Sequence, residues 1–483
     1  MLKLKIFFGF VLLMSFISSQ AAKSHVNINF PGAENQKATV WTYRDLISLD
    51  RVIIAEENFD KNGNISFDTY NSKVQMFYIE VRYFRIPIYL KPNTNYKINI
   101  NKTDFNNRYF YPKDVVGYLS PDFKIIQPSE DELNANIDTL NWIIDDFVQK
   151  NHLALRLGKQ SWKLVDSLQM DIEAFTKKHK DKYLQEYADI QIAQFRMLSN
   201  QYGNDYIVDK YFNPSNIKYN SQAFMTFFNS FWTKYITSKV PQSIRKRLDS
   251  VVNITQSYQA LSALLSEDSL LQNPYLRELV ILRNLPQMYR MKRFNKKAII
   301  SILYDISASK YSKKHQEIAV NLRKKLQALN TGNKAPDFEF YDTHSDTLNL
   351  ERLAGKYIYI QVWDDQCIPC LNQMKYTKEL YEKFDDIITF INISVDRSPA
   401  DMMHAIENKD YNWHFVFLND NYHFIQDYQL SALPHAILID PEGNFVSWNA
   451  HLPSDYFEDY FLKMINDKKG NLDVKTRMRN GIR

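Results

Sequence analysis

The spacing of apolar positions changes twice along the chain, and each change marks a region. From residue 24 to about 127, apolar and polar residues alternate in short segments: His25 to Phe30, Ala38 to Tyr43, Val52 to Ala55, Asn64 to Phe67, Val74 to Val81 and Tyr83 to Leu90. Turn-forming runs such as Asp60-Lys61-Asn62-Gly63-Asn64 and Lys91-Pro92-Asn93 separate them. A period of two between turns is the mark of half-buried strands, so residues 24–127 are expected to form a small antiparallel β-sandwich.

From 128 to about 330 the period lengthens to that of a helix. Ser129 and Glu132 have the spacing of a capping box, and Leu133, Ile137, Leu140, Ile144 and Phe147 then fall on one helical face. Trp162, Val165, Leu168, Ile172 and Phe175 make a second face, and Tyr183, Tyr187, Ile190 and Leu198 a third. The run Phe224 to Ile236 is apolar on more than one side. Such a helix is usually buried against several neighbours; the sharper alternative is a groove for an apolar partner segment. Leu261, Leu264, Leu265, Leu271, Leu276, Leu279 and Leu282 extend the helices, and Lys310 to Lys325 reads as a basic amphipathic helix with a solvated charged face. The middle region is expected to be an all-α domain.

Residues 331–470 mix the two periods, and a short tail, 471–483, follows. Tyr357 to Trp363 and Ile387 to Val395 read as buried strands, with a helix-period run from Leu371 to Phe384 between them. Pro399 to Asn408 reads as a helix, His414 to Leu418, Ala436 to Ile439 and Phe445 to Trp448 as strands, and Ser454 to Ile465 as a closing helix. The order gives a βαβ unit joined to a β-hairpin.

Ahead of these regions, Met1 to Lys5 carries two lysines, Ile6 to Ile17 is apolar, and Ser19-Gln20-Ala21 offers small residues for cleavage. This is the pattern of a secretory signal peptide over residues 1–21, too short to span a membrane. No cysteine follows it, so a lipoprotein anchor is not expected and the mature protein is placed in the periplasm. The charge balance of 60 basic and 55 acidic residues is too even for a nucleic-acid footprint. With 31 Tyr, 31 Phe and only 11 Gly, the composition fits packed domains better than linkers.

The two cysteines carry the chemistry. Cys367 and Cys370 lie where the strand ending at Trp363 hands over to a helix. Unpaired N–H groups and the positive end of the helix dipole stabilise a thiolate there, so Cys367 is expected to have a lowered pKa and to leave readily. Pro369 suits the first helical turn, where its missing N–H costs nothing. Cys370, one turn on, is expected to be the buried resolving thiol. A disulfide across so short a loop would stabilise by only about 2 kcal/mol, against nearly 5 for a loop of about 100 residues, so stability alone does not explain the spacing. A zinc site needs more ligands than the two cysteines supply, so neither a metal nor another cofactor is expected.

The motifs around this pair resemble one family. Thr331-Gly332-Asn333-Lys334-Ala335-Pro336-Asp337-Phe338, Leu350 to Lys356, the strand with Cys-Ile-Pro-Cys, and Tyr428 through Gly443 are similar, in order, to the thioredoxin fold of TlpA/ResA-type protein disulfide oxidoreductases. The N-terminal strands resemble the prealbumin-like domain that precedes thioredoxin domains in exported bacterial proteins. The expected architecture is therefore multidomain α+β, with a β-sandwich, a helical domain and a C-terminal α/β thioredoxin fold. The resemblance implies that Pro434 is a cis-proline facing the disulfide, that backbone at Leu433 and Pro434 pairs with an extended substrate, and that Trp363 packs under the site.

Three positions depart from the pattern. Gln361 stands where thioredoxins carry a buried Asp, Gln373 where TlpA/ResA proteins often carry a Glu, and Gln366 where a Trp usually precedes the first cysteine. An amide cannot take the Cys370 proton. Asp364, Asp365, His435 or water would have to serve, and His435 could tune Cys367 or remain a sheet residue without a role.

The function expected is thiol–disulfide exchange, most simply reduction of disulfides in periplasmic proteins, with an upstream thiol donor, membrane-bound, restoring the pair. If the pair is kept oxidised, the same residues run the reaction backwards. The alternative is an exported binding or scaffold protein with little redox activity. A peroxidase is disfavoured, because Ile360 and Asp364 stand where its signature proline and threonine would be.

Overall fold

The computed structural model describes residues 22–82, 84–102, 118–129, 131–157, 161–199, 202–396, 398–418, 421–430 and 432–467. The expected signal peptide and C-terminal tail lie outside these residues. Contacts divide the chain into two compact units, the first within Met1–Asp104 and Ser120–Leu326, the second within Gln327–Arg483 together with the segment ending at Leu119. The β-rich and helical regions thus share one unit.

In the first unit, strands β1 (Ala22–Asn29), β4 (Asn64–Asn71), β7 (Tyr96–Ile100) and β8 (Phe123–Gln127) form one sheet in the order β4-β1-β7-β8. Strands β2 (Lys37–Asp45), β3 (Asp50–Asn58), β5 (Gln75–Val81) and β6 (Phe84–Leu90) form another in the order β3-β2-β5-β6. The alternation read from sequence is visible in β4, where Ile65, Phe67, Thr69 and Asn71 are buried. One expectation needs correcting: the strands are not all antiparallel, because β7 pairs with β1 in parallel. β7 joins that sheet after the chain has built the other one, so no hairpin turn imposes an antiparallel pairing on these two strands.

Helices α1 (Leu133–Leu157), α2 (Ser161–Thr176), α3 (Lys182–Leu198), α4 (Asn204–Tyr211), α5 (Gln222–Phe231), α6 (Gln242–Ser250), α7 (Tyr258–Leu265), α8 (Pro274–Arg290), α9 (Lys296–Ser307) and α10 (Lys313–Ala328) follow. The capping box at the start of α1 is not formed. Glu132 caps the helix itself, its Oε2 accepting the Ala135 N–H at 2.9 Å, while Asp131 just before it has φ +47° and turns the chain into the helix. Asn134 ties α1 to the sheet by bonding both the N–H and the C=O of Tyr89, at 2.7 and 2.9 Å.

The apolar run in and after α5 is core. Phe224, Met225, Phe227, Phe228, Phe231, Trp232, Tyr235 and Ile236 are all buried, and Phe212 packs against five of these rings. Trp162 and Leu198, assigned by spacing to apolar faces, are instead exposed at the ends of their helices. On the basic stretch leading into and along α10, Lys310, Lys313 and Lys324 are exposed as expected, while the Lys325 ammonium donates to the carbonyl of Ser48 at 2.8 Å and Lys314 to that of Arg44 at 3.3 Å. These two long side chains bridge back to the end of β2 and the turn that follows it.

The second unit holds β9 (Glu339–Tyr341) paired with β10 (Thr347–Asn349), and a five-stranded sheet. Its strands are β11 (Tyr357–Trp363), β12 (Ile388–Ser394), β13 (His414–Phe417), β14 (His435–Ile439) and β15 (Phe445–Ser447), in the order β13-β12-β11-β14-β15. Pairing is parallel among β11, β12 and β13 and antiparallel on the β14 side. Helices α11 (Ile368–Phe384), α12 (Pro399–Ile406) and α13 (Tyr422–Asp427) connect them. Alternation along β11 sends Ile358, Ile360 and Val362 into one core with Phe424 and Ile425 of α13. Tyr359 and Trp363 go to the other, with Cys370, Met374, Leu380 and Phe384 of α11. Covering both faces is what a mostly parallel sheet requires, and the layering is that of a thioredoxin fold.

Candidate active site

β11 carries the chain to the site and α11 carries it away. Cys367 is the N-cap of α11, its Sγ accepting the N–H of Cys370 at 3.2 Å, and Pro369 lies in the first turn. The two cysteines are joined as a disulfide, with their Cα atoms 5.2 Å apart. Cys367 is half-buried and Cys370 is only 3% exposed, so a partner can reach the first sulfur and not the second. Ile368, between them, is 70% exposed and extends an apolar surface beside the accessible sulfur.

Trp363 lies beneath, in the same core as Cys370 and edge-on to Phe415 at 6.1 Å. The Leu433–Pro434 peptide is cis. Because His435 pairs with Val362, Pro434 comes level with Trp363, at the end of β11 from which the cysteine loop departs. Leu433 packs against both cores of the unit. The structure therefore gathers Trp363, Cys367, Pro369, Cys370, Leu433 and Pro434 at one end of the sheet.

His435 does not join them. Strand alternation puts its neighbours Ala436 and Leu438 on the Cys370 face, and His435 with Ile437 on the other. Its Nε2 bonds the Trp448 carbonyl at 2.9 Å, its ring packs on Trp448, and burial lowers its proton affinity. Held there, the imidazole supports the sheet on the face away from Cys370.

The two amides that replace carboxylates are engaged in holding the fold. Gln361 is buried, its Oε1 accepting from the Thr377 hydroxyl of α11 at 2.8 Å. Gln373 bonds Ser454 through both amide atoms, at 2.9 and 3.0 Å. Beside Gln361, Asn392 of β12 is buried as well, which makes a polar seam under α11.

One group escaped the reading of the sequence. Asp396, just past β12, is buried and accepts the Asp365 N–H at 2.6 Å. Its other oxygen takes the Ser394 hydroxyl. Carboxylate oxygens of Asp364, Asp365 and Asp396 lie within 4.8 Å of one another. Burial, with the Asp365 charge opposite, pushes the Asp396 carboxyl up to about 7. The available signal was an Asp at the C-terminal end of a parallel strand next to β11, where the chain ends of an α/β sheet converge.

Residues 331–447 match the AhpC/TSA family. Thiol-disulfide oxidoreductase ResA of Bacillus cereus is 30% identical over 123 residues, covering 25% of this chain and 69% of that protein. ResA of Bacillus thuringiensis subsp. konkukian is 28% identical over 144 residues, covering 29% and 82%. Among solved structures, the thioredoxin domain of a thiol-disulfide oxidoreductase from Bacteroides vulgatus is 29% identical, with a TM-score of 0.26 and coverage of 27% of this chain and 96% of that one. With a motif-bearing thioredoxin-like domain matched over most of the length of its relatives, the chain belongs to the TlpA/ResA-type thiol-disulfide oxidoreductases and is an oxidoreductase.

Proposed function

We propose that the protein is exported to the periplasm and reduces disulfides in other proteins through Cys367-Ile368-Pro369-Cys370. The reading is carried by the unequal exposure of the two sulfurs on one helix N-terminus. In the reduced state the Cys367 thiolate attacks one sulfur of a substrate disulfide and expels the other as a thiolate. Cys370 then loses its proton and attacks Cys367 Sγ, releasing the second substrate thiolate and leaving the disulfide seen here. Two electrons pass to the substrate, and an upstream thiol donor at the membrane returns them. Leu433 and Pro434 hold the extended substrate segment beside the motif.

Export rests on the signal-peptide pattern of residues 1–21, without a cysteine for lipid attachment. The two four-stranded sheets of the first unit are read as a sandwich.

A Cys370→Ser variant tests the reading. Expressed in cells, it is expected to accumulate as mixed disulfides with periplasmic proteins, dissolved by dithiothreitol and absent from a Cys367→Ser, Cys370→Ser double variant. A Cys370→Ser protein found only free or as its own dimer would argue for the scaffold alternative.

A further inference from the structure

We infer that Asp396 is a positioning residue for Cys367: it anchors the loop that delivers the nucleophile and, through its charge, tunes the thiolate. This inference rests on Cys367 being the attacking group.

Register creates the arrangement. β11 and β12 run parallel with Trp363 opposite Ser394, so the loop leaving β11 passes over the chain leaving β12. Val395 N–H bonds the Trp363 carbonyl at 2.8 Å, and Asp396 Oδ1 takes the Asp365 N–H at 2.6 Å. Beyond that anchor the loop closes on itself. Asp364 accepts the Gln366 N–H on Oδ1 at 2.9 Å and the Cys367 N–H on its carbonyl at 3.2 Å. Cys367 therefore sits two residues from a hydrogen bond made by a buried carboxylate.

Among the described residues, the charged groups around Asp396 are mostly of its own sign. The loop presents the Asp364 and Asp365 carboxylates, and Cys367 at its end. Its own strand contributes the Ser394 hydroxyl, and β13 meets that strand through the Leu418 N–H on the Ser394 carbonyl. At the start of α12, Asp401 is held by Ser398 at 2.8 Å. Burial and a facing carboxylate both favour the protonated form, so Asp396 changes charge near neutral pH, within the range where a thiol at a helix N-terminus titrates. Protonated, it holds the loop without opposing the thiolate. Ionised, it adds a negative charge at the loop that ends in Cys367 and disfavours thiolate there. Ionisation of Cys367 should then spread over a wider pH range than for a thiol titrating alone. Gln361 and Gln373 cannot supply this charge.

The test follows alkylation of Cys367 by iodoacetamide from pH 5 to 9 in the reduced full-length protein, comparing wild type with Asp396→Asn and Asp396→Glu. Wild type and the Asn variant are expected to react alike at pH 5.5 and to diverge through pH 7. By pH 9 the Asn variant should be about two- to threefold slower, because its thiol, about one unit more acidic, is fully ionised and its thiolate is the weaker nucleophile. The Glu variant should keep the wild-type shape. A wild-type to Asn ratio that stays constant with pH, at one or at any other value, overturns the inference, because a purely structural anchor changes the rate equally throughout. Should the Asn variant fail to fold by circular dichroism, Asp365→Asn replaces it: removing the facing charge must move the step to lower pH, and an unmoved step overturns the inference. Wild-type Cys367 that stays unreactive after dithiothreitol would instead refute the site itself.

Discussion

Replacing Cys367 with serine is expected to bring reduction of a disulfide-bonded protein down to the rate of the added reductant alone. A serine hydroxyl is not ionised at neutral pH, whereas the thiolate is the species that attacks sulfur. The neighbouring thiol cannot substitute. Cys370 is buried in the core with Trp363 and Met374, and a substrate disulfide cannot approach it without opening α11. The assay is turnover of a disulfide substrate with dithiothreitol as donor, and retention of more than a small fraction of wild-type activity would show that the chemistry lies elsewhere. Folding should survive the change, since Cys367 is only partly buried and the polar contact from the Cys370 N–H can pass to the serine oxygen.

The second large effect is expected far from the cysteines, in the helical part of the first unit. Glu278 of α8 and His315 of α10 are both completely buried and joined at 2.8 Å. Ser309 donates to the other Glu278 oxygen at 2.7 Å, and His315 Nε2 meets the Tyr219 hydroxyl at 2.7 Å. Removing one member of such a network leaves its partners desolvated and unpaired, and Glu278→Ala should cost about 3–5 kcal/mol. Denaturant unfolding followed by the tryptophans of the first unit measures this as a lower midpoint. Replacing Glu278 and His315 together with apolar residues of similar volume should cost clearly less than the single change, because neither of the two is left buried without the other. A single variant within about 1 kcal/mol of wild type would show that the network contributes little.

How much of this was legible before the structure depends on how local each signal is. The cysteine pair, the strand before it and the helix after it lie in one continuous stretch, and the boundaries of β11 agree with the spacing of apolar residues from Tyr357 to Trp363. The aromatic run of α5 was legible as core because apolar residues on several faces leave no side for water. Asp396 was not legible. It meets Asp365 across 31 positions of sequence, and only the β11–β12 register brings them together. His435 misled because adjacency to Pro434 in sequence says nothing about which face of β14 a side chain takes. Counting by two from Ala436 and Leu438, which share the Cys370 core, would have sent it to the opposite side. The parallel pairing of β1 with β7 is equally non-local, since alternation fixes which residues are buried but not the direction of the neighbouring strand.

The central claim is that Cys367 and Cys370 act as one reversible two-electron couple reached through Cys367. It is tested most directly by equilibrating the full-length protein against graded ratios of reduced to oxidised dithiothreitol and counting alkylated cysteines by mass spectrometry. The account predicts that both thiols appear together, along a single two-electron transition that superimposes when approached from either the oxidised or the reduced protein. Sulfurs that stay bonded at every ratio, or that open without closing again, would contradict it.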